Sequence, residues 1–258
     1  MNQIAPRQIK RYGWVRDLPD HRDYIFSAPL AVQSALPAKV DLRRQCPAVY
    51  DQGQLGSCTA NAIAAALHFD ELKEKMPRPF VPSRLFIYYN ERVIEGTVDS
   101  DSGAQLRDGV KAVAKLGICP ETDWPYDISK FTQKPPAKAF TDARRDLARN
   151  YLRIPQVLSQ MKGCLAAGYP FVFGFTVYQS FESAAVAKSG KVPMPRANEQ
   201  VLGGHAVCAV GYDDAQQSFI VRNSWGPRWG KQGYCFMPYT YLSDPQLASD
   251  FWTLRKVA

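Results

Sequence analysis

The sequence has no apolar run long enough to span a bilayer. Its strongest, residues 62–67, falls far short of the roughly 20 residues that a spanning helix needs. None of its six cysteines, at positions 46, 58, 119, 164, 208 and 235, pairs into a C-x-x-C motif. That excludes the common zinc and dithiol signatures. Six cysteines in 258 residues are also too sparse for a small disulfide-stapled secreted domain. The stretch up to Trp14 is polar and basic, without the apolar core of a Sec-type signal. The expected location is therefore the cytoplasm, or outside the cell by a non-Sec route. Histidine is scarce, with three in all, and no repeat or low-complexity tract is present.

What remains is ordinary globular material, 46% apolar and 22% charged, in a chain long enough to bury a real core. The net charge is +8, but the basic residues are spread out. The densest groups, Arg7/Lys10/Arg11 and Arg144/Arg145/Arg149, are short. A solvated surface fits them better than a nucleic-acid or membrane patch. No nucleic acid or membrane partner is expected, and an anionic ligand stays open.

Prolines at 6, 19, 29 and 37 break any helical period in the first 40 residues. Trp14, Tyr24, Ile25 and Phe26 are too apolar for a free tail, so residues 1–40 read as an extended arm packed on the body. Apolar spacing then predicts helices over 58–70, from Pro82 and Ser83 onward (carrying Leu85, Phe86 and Tyr89), over 104–116 with Gly117 as the stop, and over 155–168 with Val157, Leu158, Met161 and Leu165 inward. After Gly168 the pattern turns to strands, at 171–177, 205–212, 219–222, 233–237 and 251–254. Helices first and strands later indicate an α+β fold. Residues 182–200, with two prolines and little periodicity, read as a long mobile loop.

Cys58 opens the first helix directly after Gly56 and Ser57. A thiol there feels the positive end of the helix, which favours the reactive thiolate. Cys119, Cys164, Cys208 and Cys235 sit in apolar segments and read as buried and inert, while Cys46, before Pro47, is less defined. His21 and His68 read as surface or structural. His205 differs: two glycines precede it, an apolar strand follows, and Asn223, Ser224 and Trp225 end a later strand.

Four segments carry a family resemblance. They are Gln52–Cys58; Leu116-Gly117-Ile118 with Trp124-Pro125-Tyr126; Gly204–Val207 running on to Tyr212; and Asn223-Ser224-Trp225-Gly226 with Trp229-Gly230 and Gly233-Tyr234. Together they resemble the papain-like cysteine peptidases over about residues 40–258, most closely bacterial members with a short arm. His205 stands 147 positions after Cys58 and Asn223 stands 165 after it. The family's spacing is about 130–150; the histidine falls inside it and the asparagine somewhat beyond, so extra residues are expected around the histidine. Leu55 and Thr59 depart from the family's C-G-[SA]-C-[WY] signature. Leu55 removes a half-cystine and Thr59 an aromatic.

The resemblance implies a two-subdomain papain-like fold. A helical half (about 41–155) would face an antiparallel, barrel-like strand half (about 156–258) across a cleft. It implies Cys58 as the nucleophile forming a thioester acyl-enzyme, His205 as the proton carrier, and Asn223 as the group that orients the ring. Trp225 would shield that pair. Gln52 would donate to the oxyanion with the Cys58 N–H, and Ala206 would line the substrate pocket. Gly103 has two readings, a substrate-backbone contact or an ordinary helix-start glycine. Asp99 and Asp101 do not fit a calcium loop and read as a solvated acidic loop. No metal or cofactor is expected, and the partner is a peptide or protein substrate. The arm either lies on the cleft and restrains activity, as a pro-segment would, or covers an apolar surface elsewhere. A cysteine endopeptidase leads; a related thiol acyl-transferase or deamidase, or a silent binder on the same scaffold, are the alternatives. With one cysteine as nucleophile and five left over, no structural disulfide is expected.

Overall fold

The structure, a computed structural model, describes residues 8, 9 and 11–256. Pro6, Arg7 and Lys10 lie outside the described residues.

In chain order the arm contributes strand β1 (Trp14–Val15), helix α1 (Leu30–Gln33) and strand β2 (Lys39–Asp41). Then come α2 (Cys58–Lys73), α3 (Arg84–Glu95), β3 (Ala104–Gln105), α4 (Leu106–Leu116), α5 (Ala137–Ala143) and β4 (Asn150–Arg153). The second half holds α6 (Leu158–Ala166), β5 (Phe171–Tyr178), α7 (Ala184–Ser189), β6 (Val201–Asp213), β7 (Ser218–Arg222), β8 (Tyr234–Pro238), α8 (Tyr239–Ser243) and β9 (Ala248–Arg255).

Helix α2 is the axis of the molecule. Residues 58–67 are all buried, so this stretch is enclosed by protein on every face and is mostly apolar. One side packs on β6 and β9, the other on α3 and α4. Helix α3 starts where Pro82 and Ser83 predicted, because the Ser83 hydroxyl accepts the Phe86 N–H as an N-cap. Helix α4 stops at Gly117, whose φ of +83° only glycine adopts freely.

Among the described residues seven strands form one antiparallel sheet, in the order β4-β9-β5-β6-β7-β8 with β2 beside β6. The α+β class holds. The sheet is open at its ends, so barrel-like describes its curl and not a closure. It also draws two strands, β2 and β4, from ahead of residue 156.

Several sequence expectations are corrected. Residues 182–200 are not a structureless loop. Ser183 caps α7 by accepting the Val186 N–H, Gly190 ends it, and Val192 is buried beyond. Helix α6 starts at Leu158, three residues after Pro155, and Val157 faces out at 51% exposure. Strand β6 begins at Val201, ahead of His205. In the arm Trp14 and Phe26 are buried, but Tyr24 and Ile25 are exposed. That segment is held by its backbone instead: Arg153 N–H donates to Tyr24 O, and Phe26 N–H to Arg153 O, at 2.8 Å each. No helix among the described residues is long and apolar enough to cross a membrane.

Candidate active site

Cys58 is the first residue of α2 and has no exposure. His205 lies on β6, and Asn223 follows β7, the neighbouring strand. Hydrogen-bonded strands therefore set their separation. His205 Nε2 meets Asn223 Oδ1 at 2.8 Å. The same Oδ1 also accepts the Ser224 N–H at 2.8 Å, which fixes the amide with its oxygen toward the ring. An oxygen that only accepts requires a proton on Nε2, so in the neutral ring Nδ1 is the nitrogen without a proton. Trp225 lies over this pair, 5.1 Å from the imidazole between ring centroids. Phe175 and Phe181 close other sides of the ring.

Gln52 is buried beside them. Its Nε2 spends one N–H on Leu55 O (2.9 Å), and its Oε1 accepts the Ser224 hydroxyl (2.6 Å). The amide plane is thus locked between the loop before Cys58 and the loop carrying Asn223.

The arm crosses this site. Strand β1 runs parallel to β3, and Gly13 O accepts the Ala104 N–H at 2.8 Å. Gly103 is not part of a helix start: it precedes β3 and faces Gly13 so closely that a Cβ there would lie 2.2 Å from Gly13 O. A Cβ on Gly13 would lie 1.7 Å from Gly56 O, two residues before Cys58. Tyr12 sets its ring 5.9 Å from His205 and 6.3 Å from Trp225. Its hydroxyl meets Glu182 Oε1 at 2.5 Å.

Burial under this cover pushes the Cys58 thiol up to about 12, against the pull of the Ala206, Gly13 and Thr59 backbone N–H groups. In this closed arrangement burial opposes the helix-start effect that favours a thiolate. Partial charge at a helix terminus does not compensate for removing a thiolate from water.

A sequence profile described as papain family cysteine protease matches residues 36–246. The chain belongs to the papain family. Over 272 positions it is 44% identical to an uncharacterized peptidase C1-like protein of Acanthamoeba polyphaga mimivirus, covering 96% of this chain and 88% of that one. The crystal structure of xylellain, a cysteine protease from Xylella fastidiosa, matches at 45% identity and a TM-score of 0.91, covering 99% of this chain and all of that one (100%). The fold alone is shared with proCathepsin B S9 from Trypanosoma congolense, at 18% identity and a TM-score of 0.73, over 95% of this chain and 86% of that one.

This papain-family protease accommodates its departures in specific ways. Thr59, where the signature has an aromatic, donates its hydroxyl to buried Glu91 at 2.8 Å. Burial holds the Glu91 carboxyl well above its ordinary range. Leu55 is buried, and all six cysteines are free thiols. Asp101 is not a solvated loop residue. It accepts the Gly56 N–H at 3.0 Å and the Tyr88 hydroxyl at 2.5 Å, and so braces the turn before Cys58. Tyr126, from the Trp-Pro-Tyr segment, braces the same turn through Ser57 and Gln52 O. Only the glycine-rich loop ahead of Cys58 hinted that such braces were needed.

Downstream of the site the arm is latched by carboxylates. Asp17 N–H donates to Asp250 Oδ2 at 2.8 Å, while the Asp17 carboxylate accepts the Arg107 N–H and Trp252 Nε1. Arg107 and Arg153 both pair with Asp23, and Arg153 also reaches Asp250. Burial, then the Asp250 carboxylate, raises Asp17 to about 7, and burial raises Asp250 too. Glu95, whose oxygen accepts the Gln105 N–H, is raised to about 7 by burial. The docked arm thus holds a proton that a free arm releases. Docking is strongest below the free carboxyl value near 4 and weakens as pH rises through 7, by up to about tenfold per unit. Proteolytic nicking of the arm should therefore become faster in wild type than in Asp17→Asn between pH 5 and 8. Parallel profiles for the two proteins would exclude this latch.

Proposed function

We propose that the protein is a cysteine endopeptidase whose Cys58, His205 and Asn223 form the catalytic group, restrained by its own N-terminal arm. The observation that carries this reading is Gly13 lying on the turn of Cys58, with Tyr12 against His205. Asn223 holds the His205 ring, and Gly13 and Tyr12 of the same chain lie against the turn of Cys58 and against that ring.

When the arm leaves, water and the His205 imidazole become available to the Cys58 sulfur. His205 takes the thiol proton on Nδ1 while Asn223 holds Nε2, and the thiolate attacks the scissile carbonyl. The oxyanion lies at the N-terminus of α2, where the Cys58 N–H and the remaining N–H of Gln52 are suitable donors. His205 then gives its proton to the leaving amine, and water hydrolyses the thioester by the reverse sequence. Trp225 keeps competing water off the His205–Asn223 hydrogen bond.

Iodoacetamide labelling read by mass spectrometry tests this. In the full chain Cys58 should react slowly at pH 7.5. In Gly13→Val, where the arm seats less favourably, it should react at least about tenfold faster than any other cysteine. Cys119, Cys164, Cys208 and Cys235 are buried, and burial raises each thiol. Equal labelling of Cys58 and Cys46 in that variant would overturn the assignment.

A further inference from the structure

The Leu55 carbonyl and the Gly56 N–H belong to one peptide group, so they lie in one plane and point opposite ways. Each edge of that plane meets a partner of fixed polarity. The carbonyl accepts one Nε2 hydrogen of Gln52 at 2.9 Å. The N–H is held by both oxygens of Asp101, at 3.0 and 3.1 Å. A carboxylate only accepts, so Asp101 can face only the N–H edge, and a flipped peptide would set oxygen against oxygen. The close approach uses a glycine: a Cβ on Gly56 would lie 2.9 Å from Asp101 Oδ1 and push the carboxylate away. Leucine at 55 stands where the family signature has cysteine, and all six cysteines are free thiols, so no covalent bridge fixes this turn.

Asp101 is itself held from behind. Tyr88, fully buried on α3, donates its hydroxyl to Oδ1 at 2.5 Å, and the same hydroxyl accepts the Gly103 N–H at 3.2 Å. At the other end of the network Gln52 Oε1 accepts the Ser224 hydroxyl at 2.6 Å. Two chains of donation therefore converge on Asp101. One comes from Gly103 through Tyr88. The other comes from Ser224 through Gln52 and the Leu55–Gly56 peptide. Asp101 is the charged acceptor at which both end, and bonds to a charged acceptor are the strong ones. All of these bonds lie within the body of the protein, so they persist when the arm leaves.

We propose that Asp101 is a positioning residue for the oxyanion: it fixes the Leu55–Gly56 peptide plane and, through it, the Gln52 amide whose second Nε2 hydrogen points to the developing charge. The inference rests on Cys58 as nucleophile and Gln52 as oxyanion donor, and it deepens that reading. Asp101 touches no reacting atom. Its effect reaches the chemistry through Gln52, so it belongs to the transition state and not to the thiol or to substrate binding.

The test compares full-length Gly13→Val with the same protein carrying Asp101→Ala or Asp101→Asn, on a capped dipeptidyl-coumarin amide. Asp101→Ala leaves the Gly56 N–H without its acceptor. It should lower kcat and kcat/KM together by about 10- to 100-fold, with KM within about threefold, as loss of a contact made only in the transition state does. Asp101→Asn keeps an accepting oxygen and should hold kcat within about fivefold of the parent. Alkylation of Cys58 by iodoacetamide forms no oxyanion, so its rate should stay within about threefold in all three proteins. If the alanine variant melts early, Tyr88→Phe carries the same test, because it removes the hydroxyl that holds Oδ1; kcat should then fall about three- to tenfold with alkylation unchanged. An unchanged kcat in a well-folded variant, or an equal fall in alkylation, overturns the role of Asp101 and leaves the nucleophile assignment standing. No hydrolysis by Gly13→Val itself overturns the peptidase reading, and the role of Asp101 with it.

Discussion

Cys58→Ala should reduce peptide hydrolysis by about 10⁴-fold or more, to the level that binding and oxyanion contacts alone supply. No neighbouring group offers a substitute nucleophile. Ser57 Oγ is engaged with the Tyr126 hydroxyl and with Asn61, and Thr59 Oγ1 with Glu91. The substitution removes one sulfur from a fully buried position at the start of a helix, where alanine is well tolerated. A fold change in thermal stability is therefore not expected, and retained structure can be checked by circular dichroism. The steady-state rate on the best dipeptidyl substrate, measured in the Gly13→Val background, decides it. Activity within tenfold of the parent would end the assignment of Cys58.

The second large effect is activation. Gly13→Val should raise activity on small substrates by about 10- to 100-fold over wild type. The added side chain meets a carbonyl oxygen at a distance no Cβ tolerates, 1.7 Å, and backbone cannot swing aside as a flexible side chain can. Overpacking of this kind costs about 1–3 kcal/mol, which covers that range of docking constants. Opposing it is the burial of Trp14. An indole removes roughly 200 Å² from water, worth about 5 kcal/mol before the cost of ordering the arm. Deleting residues 1–40 is a less clean experiment, because it also takes buried Phe26 and Ala28 and most of β2 from the body. Unchanged activity in Gly13→Val, with Cys58 still slow to alkylate, would mean that the arm does not restrain the enzyme.

How much of this was legible in the sequence depended on range. The helices α2, α3 and α4 carry their periodicity and their caps locally, so Ser83 and Gly117 marked their ends correctly. The histidine and asparagine segments were legible because their residue types are dense and rarely occur together by chance. Strands β2 and β4 were not, since each is short and its membership in the sheet is decided by partners more than 100 residues away, Asp213 and Arg255. Helix α7 was hidden by the two prolines that follow it, although Ser183 and Gly190 were a usable pair of signals. Asp101 was misread because its partners, Gly56 and Tyr88, come from separate segments. The arm's course was undecidable from sequence: Gly13 looks like any glycine until it is seen against Gly56.

Besides the carboxylate latch at Asp17 and Asp23, the arm is fastened on either side of it. Its tip sits at Gly13 and Trp14, and its base is pinned at Tyr24 and Phe26 by the backbone of Arg153. About ten residues join them, and Leu18, Pro19, His21 and Arg22 within that span are exposed. On the reading proposed above, the arm acts as a tethered blocking segment with an effective concentration in the millimolar range. A tether makes the contact intramolecular, so dilution of the protein does not loosen it. One cut in the exposed span converts the same contacts into those of a free peptide, which dilution does remove. The base stays behind as part of the enzyme's body, so the tether's length fixes how much of the chain is lost when the block is lifted.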